Sequence, residues 1–199
     1  MAKQDGKDKK EKGVLSRIAE SMKGESDETQ KATDLLKEQH DEVRRLFKEY
    51  ENAGEGAHAT RKRLIDEACR DLEVHATLEE RIFYPACREL EDEDARKMVG
   101  ESIEEHLIVK RLIKELGGLS GSDETFESKA TVLKESVEHH ADEEESDLFP
   151  AAEKEMDDDR LRELGEEMRQ LKERLTAAPA ARKRTPAPRG TSRSSNARR

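Results

Sequence analysis

Two segments of the chain carry the same pattern of side chains able to hold a metal ion. His75-Ala-Thr-Leu-Glu79 runs on to Phe83-Tyr84-Pro85, and His140-Ala-Asp-Glu-Glu144 runs on to Leu148-Phe149-Pro150. In each, a carboxylate follows an imidazole by four residues and a proline follows the Glu by six. A further histidine precedes each copy: His40 lies 35 residues before His75, and His106 lies 34 before His140. Residues four apart share one face of a helix, so each segment aims an imidazole and a carboxylate in one direction. Mixed imidazole and carboxylate donors suit iron, manganese or zinc, and the lack of thiolates argues against copper(I) or an iron–sulfur cluster. Burying four imidazoles and two carboxylates with no cation among them would be costly. The pattern therefore predicts a site for two metal ions, with His40, His75, Glu79, His106, His140 and Glu144 as ligands.

Those six residues need four helices to position them. Apolar residues at helical spacing predict helices over about 29–52 (Leu36, Val43, Phe47), 60–90 (Ala68, Leu72, Ile82), 93–116 (Val99, Ile103, Val109) and 123–148 (Phe126, Leu133, Val137). The six candidate ligands fall on the same stripes. Short connections, including Gly117-Gly118 and the Ser120-Gly-Ser-Asp123 turn, make neighbouring helices antiparallel and bring the ligands to similar heights in an up-down-up-down four-helix bundle. Pro85 is expected to kink or interrupt the second helix, and Pro150 to end the fourth. An internal repeat supports the plan: Glu-Gln-His40-Asp-Glu-Val-Arg-Arg-Leu-Phe-Lys-Glu matches Glu-Glu-His106-Leu-Ile-Val-Lys-Arg-Leu-Ile-Lys-Glu, so the first helix pair resembles the second.

The expected organisation is a polar arm with a short amphipathic helix over 1–28, the bundle over 29–150, a further helix over 151–177 and a basic disordered tail over 178–199. Leu161, Leu164, Met168, Leu171 and Leu175 alternate by three and four, leaving two outcomes for the last helix: packing back on the bundle, or dimerisation. Composition agrees with an all-α chain. At 43% charged and 32% hydrophobic it is poor in material for a large core but sufficient for one narrow apolar stripe per helix. No run is long enough to span a bilayer and no apolar leader is visible, so a cytoplasmic protein is expected. The net charge of -10 argues against a general nucleic-acid binder. Residues 181–199 hold seven cations and no acid, a tail able to contact an anionic partner but offering no sequence-specific nucleic-acid readout. Cys69 and Cys87 stand 18 residues apart on one helix and cannot pair with each other while that helix is intact.

These residues resemble the hemerythrin-like, or HHE cation-binding, family, over about residues 29–150. The resemblance implies a four-helix bundle holding two non-haem irons, with the four histidines as terminal ligands, Glu79 and Glu144 as bridges, and an oxo or hydroxo group completing the bridge. It departs from the oxygen carriers at one point. They carry His-x-x-x-His on the third helix, whereas the residue four after His106 is Lys110. With one histidine fewer, both irons would keep an open position, which puts simple oxygen carriage in doubt. Lys110 or a nearby carboxylate is a candidate to fill the gap. The function implied is binding or sensing of dioxygen, reactive oxygen or nitrogen species, or iron. The alternatives are a di-iron peroxidase or oxidase-type enzyme, and a metal-stabilised interaction module. Glu80 and Glu145, which follow the bridging candidates, are read as solvated faces, with an extra ligand as the other option. Tyr50 and Tyr84 are read as packing residues.

Overall fold

A computed structural model describes residues 30–54 and 56–177. The expected N-terminal amphipathic helix and the basic tail lie outside these residues. The described chain is all helix and turn: α1 (Ala32–Asn52), α2 (His58–Leu78), α3 (Tyr84–Cys87), α4 (Glu93–Gly117), α5 (Phe126–Glu143), α6 (Phe149–Glu155) and α7 (Asp158–Thr176). α2 runs into α3 through a π-helical turn over Glu79–Phe83, and α5 runs into α6 through another over Glu144–Leu148. Four rods result, α1, α2–α3, α4 and α5–α6, with α7 packed outside them.

The α-helix is interrupted ahead of Pro85, as expected, and the expectation at Pro150 is corrected. Pro85 and Pro150 each lie in the first turn of a new helix, a position where a missing N–H leaves no broken bond. Ahead of each, the backbone widens by one residue, so that Tyr84 N–H reaches Glu79 O and Phe149 N–H reaches Glu144 O, five residues back. The helix therefore continues past Pro150 to Glu155 instead of stopping. The other boundaries follow local chemistry. Asp92 accepts from the N–H groups of Asp94 and Ala95 to start α4, and Asp157 accepts from Arg160 N–H to start α7.

The core is divided into two apolar layers with a polar layer between them. One layer gathers Leu36, Leu78, Phe83, Val99, Leu148, Phe149, Leu164 and Met168. The other gathers Val43, Phe47, Ile65, Ala68, Leu72, Val109, Phe126, Leu133 and Val137. On each rod a candidate ligand stands between the two: His40 between Leu36 and Val43, His75 between Leu72 and Leu78, His106 between Val99 and Val109, His140 between Val137 and Leu148. α7 lies against α1, α2 and the Glu79–Phe83 turn. Its Leu161, Leu164, Met168 and Leu171 are buried there, which is the packing outcome for the leucine seam, while Leu175 stays exposed. Gly165 makes that approach close: a Cβ on it would lie 2.1 Å from the backbone oxygen of Gln30.

Candidate metal centre

All six candidate ligands are buried, and the two glutamates are fully so at 0% exposure. The Nε2 atoms of His40 and His75 face each other at 3.1 Å, as do those of His106 and His140. Glu79 stands between the pairs. Its Oε1 is 3.2 Å from His75 Nε2 and its Oε2 is 3.3 Å from His106 Nε2. Glu144 completes the centre with Oε2 at 3.4 Å from His40 Nε2 and 3.6 Å from His140 Nε2. Two groups of donors follow, His40–His75–Glu79–Glu144 and Glu79–His106–His140, with Glu79 common to both.

Each imidazole is held from behind through Nδ1. His40 meets Glu145 at 2.8 Å, His106 meets Glu80 at 2.9 Å, His140 meets Glu105 at 2.7 Å and His75 meets the Gln39 amide oxygen at 3.0 Å. Such acceptors keep the proton on Nδ1 and turn the Nε2 lone pair inward. With all four imidazoles neutral, four inward lone pairs face Glu79 Oε1, Glu79 Oε2 and Glu144 Oε2, three buried carboxylate oxygens with no other hydrogen-bond donor. Oxygen and nitrogen lone pairs crowded at such distances repel, and a cation placed among them resolves the conflict. The donor set fits a pair of metal ions on this ground.

Glu80 and Glu145 are thus neither solvated faces nor extra ligands. Each joins an inward imidazole to an outer cation: Lys110 bonds Glu80, and Arg44 bonds Glu145 at 2.8 Å. This also settles what Lys110 does. It points at Glu80 and stands behind His106, in the same role that Arg44 has behind His40. His139, beside His140, is exposed and pairs with Glu143 instead.

The charge state follows the geometry. Burial alone would raise the pKa of Glu79, but the facing His75 and His106 hold it well below the usual carboxylate range. Burial opposes charge on His140, yet Glu144 and Glu105 push its pKa up to about 9. His40 is raised in the same way, against burial, by Glu144 and Glu79. His75 is lowered, chiefly by burial.

Tyr84 is another residue whose role the sequence reading missed, as it missed Gln39 and Glu105. Its hydroxyl donates to Glu144 Oε1 at 2.8 Å and lies 3.4 Å from His106 Nε2. Burial and the two buried glutamates push its pKa up, so it remains a protonated donor. On a straight α-helix, nine residues beyond His75 face about 180° away from it. The wide π turn absorbs one residue and swings Tyr84 about 100° back toward the interior. The signal was in the repeat: Pro follows Glu by six in both copies, and Phe149 stands where Tyr84 does. Phe149 stacks on His40 with its ring 5.9 Å away, and Tyr84 stacks on His106 at 5.6 Å.

The family described as the Hemerythrin HHE cation binding domain matches residues 31–152, the four rods that carry this centre. The chain belongs to the hemerythrin HHE cation-binding family. Among solved structures, a hemerythrin HHE cation binding domain-containing protein from Mycobacterium kansasii is 30% identical, with a TM-score of 0.62 over 73% of this chain and 87% of that one. Among curated proteins, a DNA nickase from a Nostoc species is 25% identical over 143 residues, 71% of this chain; the match spans 39% of that relative's length. The two adjacent His/Glu clusters of this HHE domain form a binuclear iron site of the hemerythrin type.

Proposed function

We propose that this chain holds two irons through His40, His75, Glu79, His106, His140 and Glu144, and uses them to bind or sense dioxygen, peroxide or nitric oxide. The observation that carries this reading is the buried, donorless set of carboxylate oxygens facing four inward imidazole nitrogens. Two histidines and a share of Glu79 would serve each metal position, with Glu144 grouped on the His40/His75 side. Lys110, where the oxygen carriers have a fifth histidine, is turned to Glu80 and supplies no ligand, so a coordination position would stay open to a small exogenous molecule. When bound, an iron pair supplies reversible coordination and electron exchange with such molecules. The protein's own part is to orient the donors through Glu145, Gln39, Glu80 and Glu105 and to exclude bulk water with the apolar layers on either side. Purified protein should contain close to two irons per chain and show a di-iron absorption spectrum that changes on exposure to dioxygen, peroxide or nitric oxide. Iron-replete expression yielding no metal would defeat the proposal.

One observation favours a second reading, peroxide turnover. The Tyr84 hydroxyl sits inside the centre, bonded to Glu144 and near His106, where it can present a hydrogen to an incoming oxygen species. If Tyr84 acts this way, Tyr84→Phe keeps two irons and the fold but slows peroxide consumption at least tenfold. Unchanged turnover would leave the tyrosine a packing residue.

A cytoplasmic location agrees with two free, buried cysteines. Among the described residues, no helix is long and apolar enough to cross a membrane. Contact between residues 181–199 and an anionic partner rests on their seven cations alone. Deleting them should weaken binding to anionic vesicles or DNA if the contact exists. Dimerisation through the last helix would have to use its outer face around Leu175, and sedimentation at rising concentration tests it.

A further inference from the structure

The internal repeat makes the two halves of the centre nearly equivalent, and the positions where it fails are informative. The inner distances differ little between halves, although Glu144 groups only with His40 and His75. Glu79 reaches His75 and His106 at 3.2 and 3.3 Å, and Glu144 Oε2 reaches His40 and His140 at 3.4 and 3.6 Å. The groups behind the imidazoles do differ. His40, His106 and His140 each have a carboxylate at Nδ1, from Glu145, Glu80 and Glu105. His75 has the neutral amide of Gln39. Gln39 and Glu105 are repeat partners, each standing one residue before the histidine that opens its half.

A carboxylate behind an imidazole increases the electron density that its other nitrogen offers a metal, and an amide does this far less. The position served by His106 and His140 therefore has two carboxylate-backed imidazoles, and the position served by His40 and His75 has one. Gln39 also lines a cleft of about 690 Å3 between α1, α2 and α7, together with Leu35, Asp71 and Lys172. The weakest of the four imidazole donors is thus the one with an open cleft behind it. We infer that Gln39 makes the two metal positions unequal: the His106/His140 position fills first and holds its ion, and the His40/His75 position fills last and exchanges. The inference rests on the binuclear reading above. It gives this centre a one-metal state at limiting metal, and so a graded response to metal supply instead of all-or-none loading.

The test is calorimetric titration of the metal-free full chain with cobalt(II), followed in parallel by cobalt absorption. The wild-type protein should show two binding events, one ion each, separated by roughly tenfold to a hundredfold in affinity, the range that loss of such a partner costs. Gln39→Glu should tighten the second event and bring the two together. Glu105→Gln should weaken the first event and narrow the gap from the other side, so the proposal does not depend on one variant folding. Two equal events in the wild type would overturn the inference while leaving the binuclear reading intact, as would a gap that neither variant alters. Uptake of fewer than two ions per folded chain would instead overturn the binuclear reading, and this inference with it.

Discussion

Removing the metal should make stability fall as pH rises from 6.5 to 9. In the metal-free fold, the pKa of His140 stands at about 9 against 6.5 for an unperturbed imidazole. A group whose pKa is raised by folding stabilises the fold below its unfolded pKa and loses that contribution as pH rises through the folded value. The rise from 6.5 to about 9 corresponds to about 3 kcal/mol, lost progressively between roughly pH 6.5 and pH 9. His40 is raised too and acts with the same sign. His75 is lowered, so its effect falls below pH 6.5, outside this window. With metal bound, the Nε2 lone pairs are engaged and no proton is held to be lost, so the loaded protein should be flat across the same range. For a chain of this size, 1 kcal/mol shifts Tm by about 2–4 °C, so the metal-free Tm should fall by roughly 6–12 °C. Melting followed by circular dichroism, with and without chelator, from pH 6.5 to 9 measures it. A metal-free Tm that is flat or rising, or a loaded Tm that falls in parallel, would refute the electrostatic account of the centre.

Other outcomes follow from particular contacts. Glu79→Gln keeps the shape of the side chain but removes charge from both oxygens, one facing His75 and the other His106. It should weaken both metals at least tenfold, and loss of only one by equilibrium dialysis would contradict a bridging role. Gly165→Ala forces a Cβ against the Gln30 backbone oxygen and should destabilise the fold by roughly 1–3 kcal/mol in chemical denaturation, through loosened packing of α7. Cys69 and Cys87 are buried, and burial raises both thiols, Cys69 to about 12. A thiol reagent at pH 8 should therefore label neither in the folded protein and both after unfolding; rapid labelling of either in the native state would show the burial to be wrong.

What could be read from the sequence was whatever depends on regular helix geometry. His and Glu four apart must share a face, a repeated helix pair with short connections must bring the faces together, and apolar stripes at the same spacing name the core. Leu36, His40, Val43 and Phe47 form one such stripe, and all four are buried. What only the tertiary structure decided lies where that geometry changes or where a residue's role depends on another rod. The π turns ahead of Pro85 and Pro150 rotate everything beyond them, which brings Tyr84 to the centre and carries the last rod on to Glu155. Lys110, Arg44, Glu80 and Glu145 look on one helix like ordinary solvated charges. Only packing brings Glu80 to both His106 and Lys110, and Glu145 to both His40 and Arg44, because each glutamate comes from a different rod than the pair it joins. The leucine seam of α7 was compatible with either of two partners, and its burial against the bundle is likewise a fact of packing. Local spacing specifies which side chains travel together; which opposing charge each one meets is set by distance in the folded chain.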